Sequence, residues 1–179
     1  VDRTWFKSEI CTRIESNGSW PCQQLDTGTQ ENAQFTRSAS FTKYKESLKN
    51  KIAPSLVHVT FDLPYPVAGI VNRHYYGTGL LVDKENGLVI VDRNTVPLSM
   101  GDIRLTFAGS LEISGKVEFI HPLHNLAIVK YDPDLIGDTL VREAKFNTKP
   151  LEAGDEASLS GLKVDHQLFH QKVTVSSID

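Results

Sequence analysis

The sequence predicts an all-β protein built as a small barrel or sandwich. Six short runs of strand character fall between residues 56 and 131. Turn signals separate them, and 88–91 (LVIV) is an unbroken apolar run of the kind a buried strand needs.

Taken in order, residues 1–25 read as a β-hairpin. Trp5, Phe6, Ile10 and Ile14 lie on one arm and Trp20, Cys22 and Leu25 on the other, with Ser16-Asn17-Gly18-Ser19 between them. Asn-Gly between apolar arms is a strong turn signal because both residues tolerate positive φ. A lone hairpin is marginal in water, so this one is expected to belong to something larger. Residues 26–42 are Thr, Gln, Ser, Asn and Gly with little apolar content, the composition of a linker or loop. In 43–52 (KYKESLKNKI), Tyr44, Leu48 and Ile52 recur at helical spacing and predict a short amphipathic helix that Pro54 stops. Residues 26–52 are therefore a linker and a short helix.

From residue 56 the pattern changes. Strands are predicted at 56–63 (LVHVTFDL), 75–82 (YYGTGLLV), 88–91, 103–107, 112–120 (EISGKVEFI) and 126–131 (LAIVKY). Asp83-Lys84-Glu85-Asn86-Gly87 and Gly109 mark turns among them. The candidate interior residues are Leu56, Val57, Val59, Leu80, Val82, Val89, Val91, Leu105, Val117, Phe119, Ala127 and Val129. Residues 132–147 are less regular. Strands follow at 156–162 and 171–178 (QKVTVSSI), too few to close a barrel alone, so they either cover the first barrel or begin a second. The expected division is a barrel at 53–135, with a connection and the start of a second barrel at 136–179.

Composition narrows the function. With 40% hydrophobic and 23% charged residues, the chain is not broadly disordered. The apolar runs are too short for a membrane span. A net charge of −3 without a basic stripe argues against nucleic acid. The chain starts at Val1 without Met, the mark of an excised or processed segment, and no targeting segment is visible, so the compartment is open.

Several residues invite a chemical role. Cys11 and Cys22 flank the hairpin turn and can face each other across it; a disulfide and two reduced thiols both remain open. His121 and His124 are spaced i, i+3 as metal ligands can be. Pro122 lies between them and no third ligand is evident, so no metal is expected. His58 falls on the face opposite Val57 and Val59 and is expected to face solvent. His166 and His170 fall in a polar loop with nothing to fix them. Gly77-Thr78-Gly79 lacks the later glycine of a phosphate loop and sits in a β pattern, so it marks a tight strand start or bulge. No cofactor is expected.

The segment Gly77-Thr78-Gly79-Leu80-Leu81-Val82, followed by 87–96 (GLVIVDRNTV), resembles the HtrA/Deg family of chymotrypsin-like serine proteases. In that family the second stretch reads like G-x-I-x-T-N-x-H-V-V and delivers the catalytic His. Residues 121–130 (HPLHNLAIVK) are similar to the segment D-x-x-x-D-L-A-V-L-K that delivers the catalytic Asp. Residues 151–161 (LEAGDEASLSG) are similar to the opening L-x-x-G-D-x-V-x-x-x-G of the second barrel, and residues 173–178 to the family strand V-T-x-G-I-V-S. The resemblance covers about residues 53 to 179 and implies a chymotrypsin-like (trypsin-like) fold, with the first barrel complete and the second partial.

The departures bear on activity. The His position is Asn94 and the Asp position is Asn125, and the nucleophile motif G-N-S-G is absent. An amide has no nitrogen that can take a serine proton, and it lacks the charge that stabilises an imidazolium. The chain resembles the second, degenerate repeat of larger Nma111-type and Deg7-type members, in which PDZ domains separate two protease-like repeats. The resemblance implies that residues 1–25 are the end of a preceding PDZ domain. It also implies PDZ and active protease domains in the same protein as partners, and a structural, oligomer-forming or substrate-holding role toward unfolded polypeptide.

Alternatives stay open. Asn94 and Asn125 are either a relic or a mutually hydrogen-bonded amide pair. His124 read as a shifted catalytic residue is disfavoured, because the register puts Asn125 at the Asp position. Ser158, Ser160, Ser176 and Ser177 lie nearest the place for a nucleophile, but none occupies a Gly-flanked turn. An active site completed beyond residue 179 and a peptide-binding module are the competing readings.

Overall fold

The computed structural model describes residues 38–178, together with two short strands before them. Those strands, β1 (Ile10–Cys11) and β2 (Cys22–Gln23), pair antiparallel with Cys11 opposite Cys22. The rest of the expected hairpin, including its Asn-Gly turn and its aromatic residues, lies outside the described residues. The chain divides into two units, Val1–Phe35 and Thr36–Asp179.

In the second unit, six strands close a barrel: β3 (Leu56–Asp62), β4 (His74–Asp83), β5 (Leu88–Val91), β6 (Asp102–Phe107), β7 (Leu111–Ile120) and β8 (Ala127–Tyr131). Their order around the barrel is β3-β4-β5-β8-β7-β6, and every neighbouring pair is antiparallel. Closure removes open sheet edges. Val57, Val59, Phe61, Leu81, Val89, Val91, Leu105, Phe107, Ala127 and Val129 fill the interior. Tyr131 closes one end with its ring 5.0 Å from that of Phe107. Burial first, and the charge of Asp83 second, push its phenol pKa up to about 12.

The strand period was legible, but register was not. Leu80 and Val82, expected inside, are only half-buried, and Leu81 takes the interior position. The register with β3 is the cause. Val57 and Val59 pair with Gly79 and Gly77, so the odd-numbered residues of β4 point inward. Leu80 and Val82 lie on the other face, where the segment after the barrel passes and the Ala144 N–H donates to the Leu81 carbonyl. Phe119, also expected inside, is 46% exposed, because a bulge between Val117 and Phe119 re-phases β7 against β8. Leu56 is buried as expected.

The helix is shorter than its periodicity suggested. Only Ser47–Ile52 (α1) is helical, continued by a 3-10 turn at Ala53–Ser55 that contains Pro54. Asn50 occupies both main-chain groups of Tyr44, accepting its N–H and donating to its carbonyl, each at 2.7 Å. Leu48, expected on a buried stripe, is exposed.

Beyond the barrel, β9 (Glu156–Leu162) and β10 (Leu168–Thr174) form a two-stranded antiparallel sheet. The last strand was expected at 171–178. It instead starts at Leu168, because Leu168 pairs with Leu162 across a turn at 163–167. No helix of the described residues is long and apolar enough to cross a membrane.

Candidate functional site

The two triad-like positions sit on neighbouring loops at one end of the barrel. After β5, the Asp92 carboxylate folds the chain into a turn. It accepts the Thr95 N–H at 3.0 Å and the Thr95 hydroxyl at 2.7 Å, and this self-contained turn holds Asn94 exposed. Gly77 lets the turn seat on β4, since a Cβ there would press into the Thr95 side chain, with Thr95 Cβ at 3.1 Å.

The loop before β8 carries the second position. His121 Nδ1 accepts the N–H groups of Leu123 (3.2 Å) and His124 (2.9 Å) and so organises the loop. The Asn125 Oδ1 then accepts the Arg93 N–H at 2.8 Å, and the Arg93 guanidinium donates to the Pro122 carbonyl at 3.1 Å. Asn125 is thus tied to the main chain immediately before Asn94. No hydrogen bond joins the two amides among the described residues, so the mutually paired arrangement is not formed.

This geometry limits the chemistry. Neither amide can take a proton from a hydroxyl. A neutral His121 that accepts at Nδ1 carries its proton at Nε2, which leaves no free lone pair for a substrate proton or a metal. The His121 and His124 rings converge despite the intervening Pro122, with centroids 4.6 Å apart. Among the described residues no cluster of three or more metal-ligating side chains is present.

Two histidine pairings escaped the sequence reading. His74 Nδ1 lies 2.7 Å from Asp62 Oδ1, and the other Asp62 oxygen bonds Arg104. This is the only histidine–carboxylate pair among the described residues, and it lies on β3 and β4 rather than on the triad-like loops. Finding it required the β3–β4 register, which pairs Asp62 with His74. Partial burial raises the Asp62 pKa, but the His74 hydrogen bond and Arg104 outweigh it and leave the group below its ordinary 3.8. A lowered native pKa gives a stability contribution that is complete above 3.8 and is lost as pH falls through the native value. Asp62→Asn is therefore expected to flatten the acid limb of stability. Because the cluster is largely solvated, the effect should be under about 1 kcal/mol. Urea midpoints of the two proteins should differ near neutrality and converge in acid.

The second pairing is Ser160 Oγ with His170 Nδ1, 2.8 Å apart on directly opposed positions of β9 and β10. His170 is therefore a strand residue, not part of a loop. No carboxylate orients its ring among the described residues, and Ser160 lies within a strand rather than on a turn.

His58, expected to face solvent, is 4% exposed. It does point away from Val57 and Val59, but the turn between β9 and β10 covers that face and brings the His166 ring 4.4 Å from it.

The architecture is that of a trypsin-like β-barrel. The crystal structure of Deg5 matches it with a TM-score of 0.57 at 16% identity, covering 73% of this chain and 61% of that one. Within that class, the chain is homologous to one segment of HtrA/Deg-type serine proteases of the NMA111 kind. It is 33% identical to the pro-apoptotic serine protease NMA111 of Pyricularia oryzae and 36% identical to that of Phaeosphaeria nodorum, in each case over 99% of its length. It is also 30% identical to a PDZ domain-containing protein of Schizosaccharomyces pombe. The chain spans only 18% of the length of each of these relatives. No protein-family model matches it.

Proposed function

We propose that this chain is a non-catalytic, protease-like domain of an HtrA/Deg-type serine endopeptidase. Its role is structural: contacts in an oligomer, placement of PDZ and active protease domains of the same protein, or holding of unfolded polypeptide. One observation carries the reading. The two loops that would present a base and its orienting acid present Asn94 and Asn125 instead, and Asn125 Oδ1 is committed to the Arg93 main chain. An amide held this way stabilises the loop and cannot relay a proton.

The Ser160–His170 hydrogen bond favours a second reading, an enzyme with an unusual constellation. A serine and a histidine with no carboxylate to orient the ring among the described residues form an incomplete machine, which places this reading second.

Fluorophosphonate labelling of the intact protein, with the labelled serine located by peptide mass, separates the two. Label confined to serines of another protease-like segment is the expected result. Label on Ser160, or on a serine just beyond residue 179, would overturn the non-catalytic reading.

A further inference from the structure

His58 leaves β3 on the outer face of the barrel, flanked in register by Thr78 of β4 and Thr106 of β6. The β9–β10 turn buries it there. The His166 ring lies 4.4 Å away, inclined at 60°, and the Tyr76 ring stacks on the other side at 6.3 Å. Both ring nitrogens of His58 and Nδ1 of His166 are buried without a hydrogen-bond partner.

The turn is built to bring His166 to this place. The Lys163 N–H donates to the Gln167 carbonyl and the His166 N–H to the Lys163 carbonyl, which leaves His166 at φ +62°. That left-handed position in a hairpin turn is ordinarily glycine's. Here the side chain that strains it is the one covering His58. Thr78 also ties the hairpin to the same face: its Oγ1 accepts the Leu162 N–H at 2.8 Å and donates to the Leu162 carbonyl at 3.4 Å.

No carboxylate is paired with His58 among the described residues: Asp62 binds His74 and Arg104, and Asp165 is exposed and accepts the Gln167 N–H. Around the ring, β4 contributes Tyr76. β6 contributes Arg104, already bound to Asp62. The turn contributes exposed Lys163 and Asp165 besides His166, and His170 of β10 is bonded to Ser160.

We propose that the His58–His166 pair is a pH-sensitive latch. With His58 neutral the β9–β10 hairpin is closed on the barrel, and protonation of His58 opens it. Burial first, and His166 second, hold the His58 imidazole below its ordinary 6.5. A histidine so lowered binds a proton more readily when the hairpin is open. Closure is therefore complete above 6.5 and weakens as pH falls from there toward the lowered native value. One proton of difference changes the closed-to-open ratio by up to about tenfold per pH unit within that window.

Hydrogen exchange on the intact protein, corrected for intrinsic rates, tests this at about pH 7.5 and about pH 5. The expected result is that amides of residues 156–174 lose protection in acid while β5 and β8 keep theirs. His58→Leu keeps the site apolar, and His166→Gly relieves the left-handed position; each is expected to abolish the acid loss. If His58→Leu fails to fold, His166→Gly decides. Equal wild-type protection at the two pH values, or the same acid loss in His166→Gly, would overturn the latch. So would a His58 ring that titrates at its ordinary value by NMR.

Discussion

Replacing Gly79 with alanine is expected to destabilise the barrel by about 3 kcal/mol, the upper part of the range for overpacking a filled core. A Cβ at this position would lie 2.5 Å from Val89 Cγ1 and 2.8 Å from Val59 Cγ2. Both are fully buried β-branched side chains with stiff χ1, so neither can swing aside. The neighbouring strands would have to move, and in a closed barrel a displaced strand disturbs both of its partners. Thermal unfolding followed by circular dichroism should show a midpoint lower by roughly 6–12 °C. A midpoint within a degree or two of the parent would mean that β3 and β5 lie farther apart than the register implies.

The second large effect is expected at Phe61. Its ring is fully buried on β3, meets Tyr75 with centroids 6.2 Å apart, and packs against the backbone at Gly101. Phe61→Ala should cost about 3–5 kcal/mol, because lost transfer energy and an uncollapsed cavity add. Phe61→Leu, which keeps most of the volume, should retain most of that stability, and chemical denaturation of the pair measures the difference. Equal losses in the two variants would point to backbone rearrangement rather than a cavity. Together the two substitutions probe opposite failures of the same core, too much volume at a glycine and too little at a phenylalanine.

The barrel-lining valines show what local pattern could decide. Alternation in 56–63 placed Val57 and Val59 on one face, and the unbroken run 88–91 announced a strand; Val57, Val59, Val89 and Val91 are core in the structure, while Leu88 and Ile90 are half-buried. The turn at 83–87 was equally legible, since Asp83 accepts both the Asn86 N–H and its side-chain amide, and Gly87 takes φ +67°. These features depend on residues close in the chain, and so their chemistry was readable in order. Asn94 and Asn125 were singled out differently, by the resemblance of their segments to the HtrA/Deg motifs and not by local pattern.

Long-range register was a different matter. Whether Leu80 or Leu81 faced inward depended on which residue of β3 lay opposite. Two inward glycines made the apolar pattern of β4 ambiguous. The bulge that turned Phe119 outward left no mark in the local alternation. The bond from Arg93 to Asn125 spans two loops far apart in sequence, and the pairing of Asp62 with His74 required knowing how β3 meets β4. His58 is the clearest case. Alternation correctly set its face, but only the later β9–β10 turn decided that this face is covered. The sequence by itself determined the six barrel strands and the turn at 83–87, because these follow from residue chemistry over a few neighbours. The tertiary structure alone decided what each outward face meets, because burial is set by segments that arrive from elsewhere in the chain.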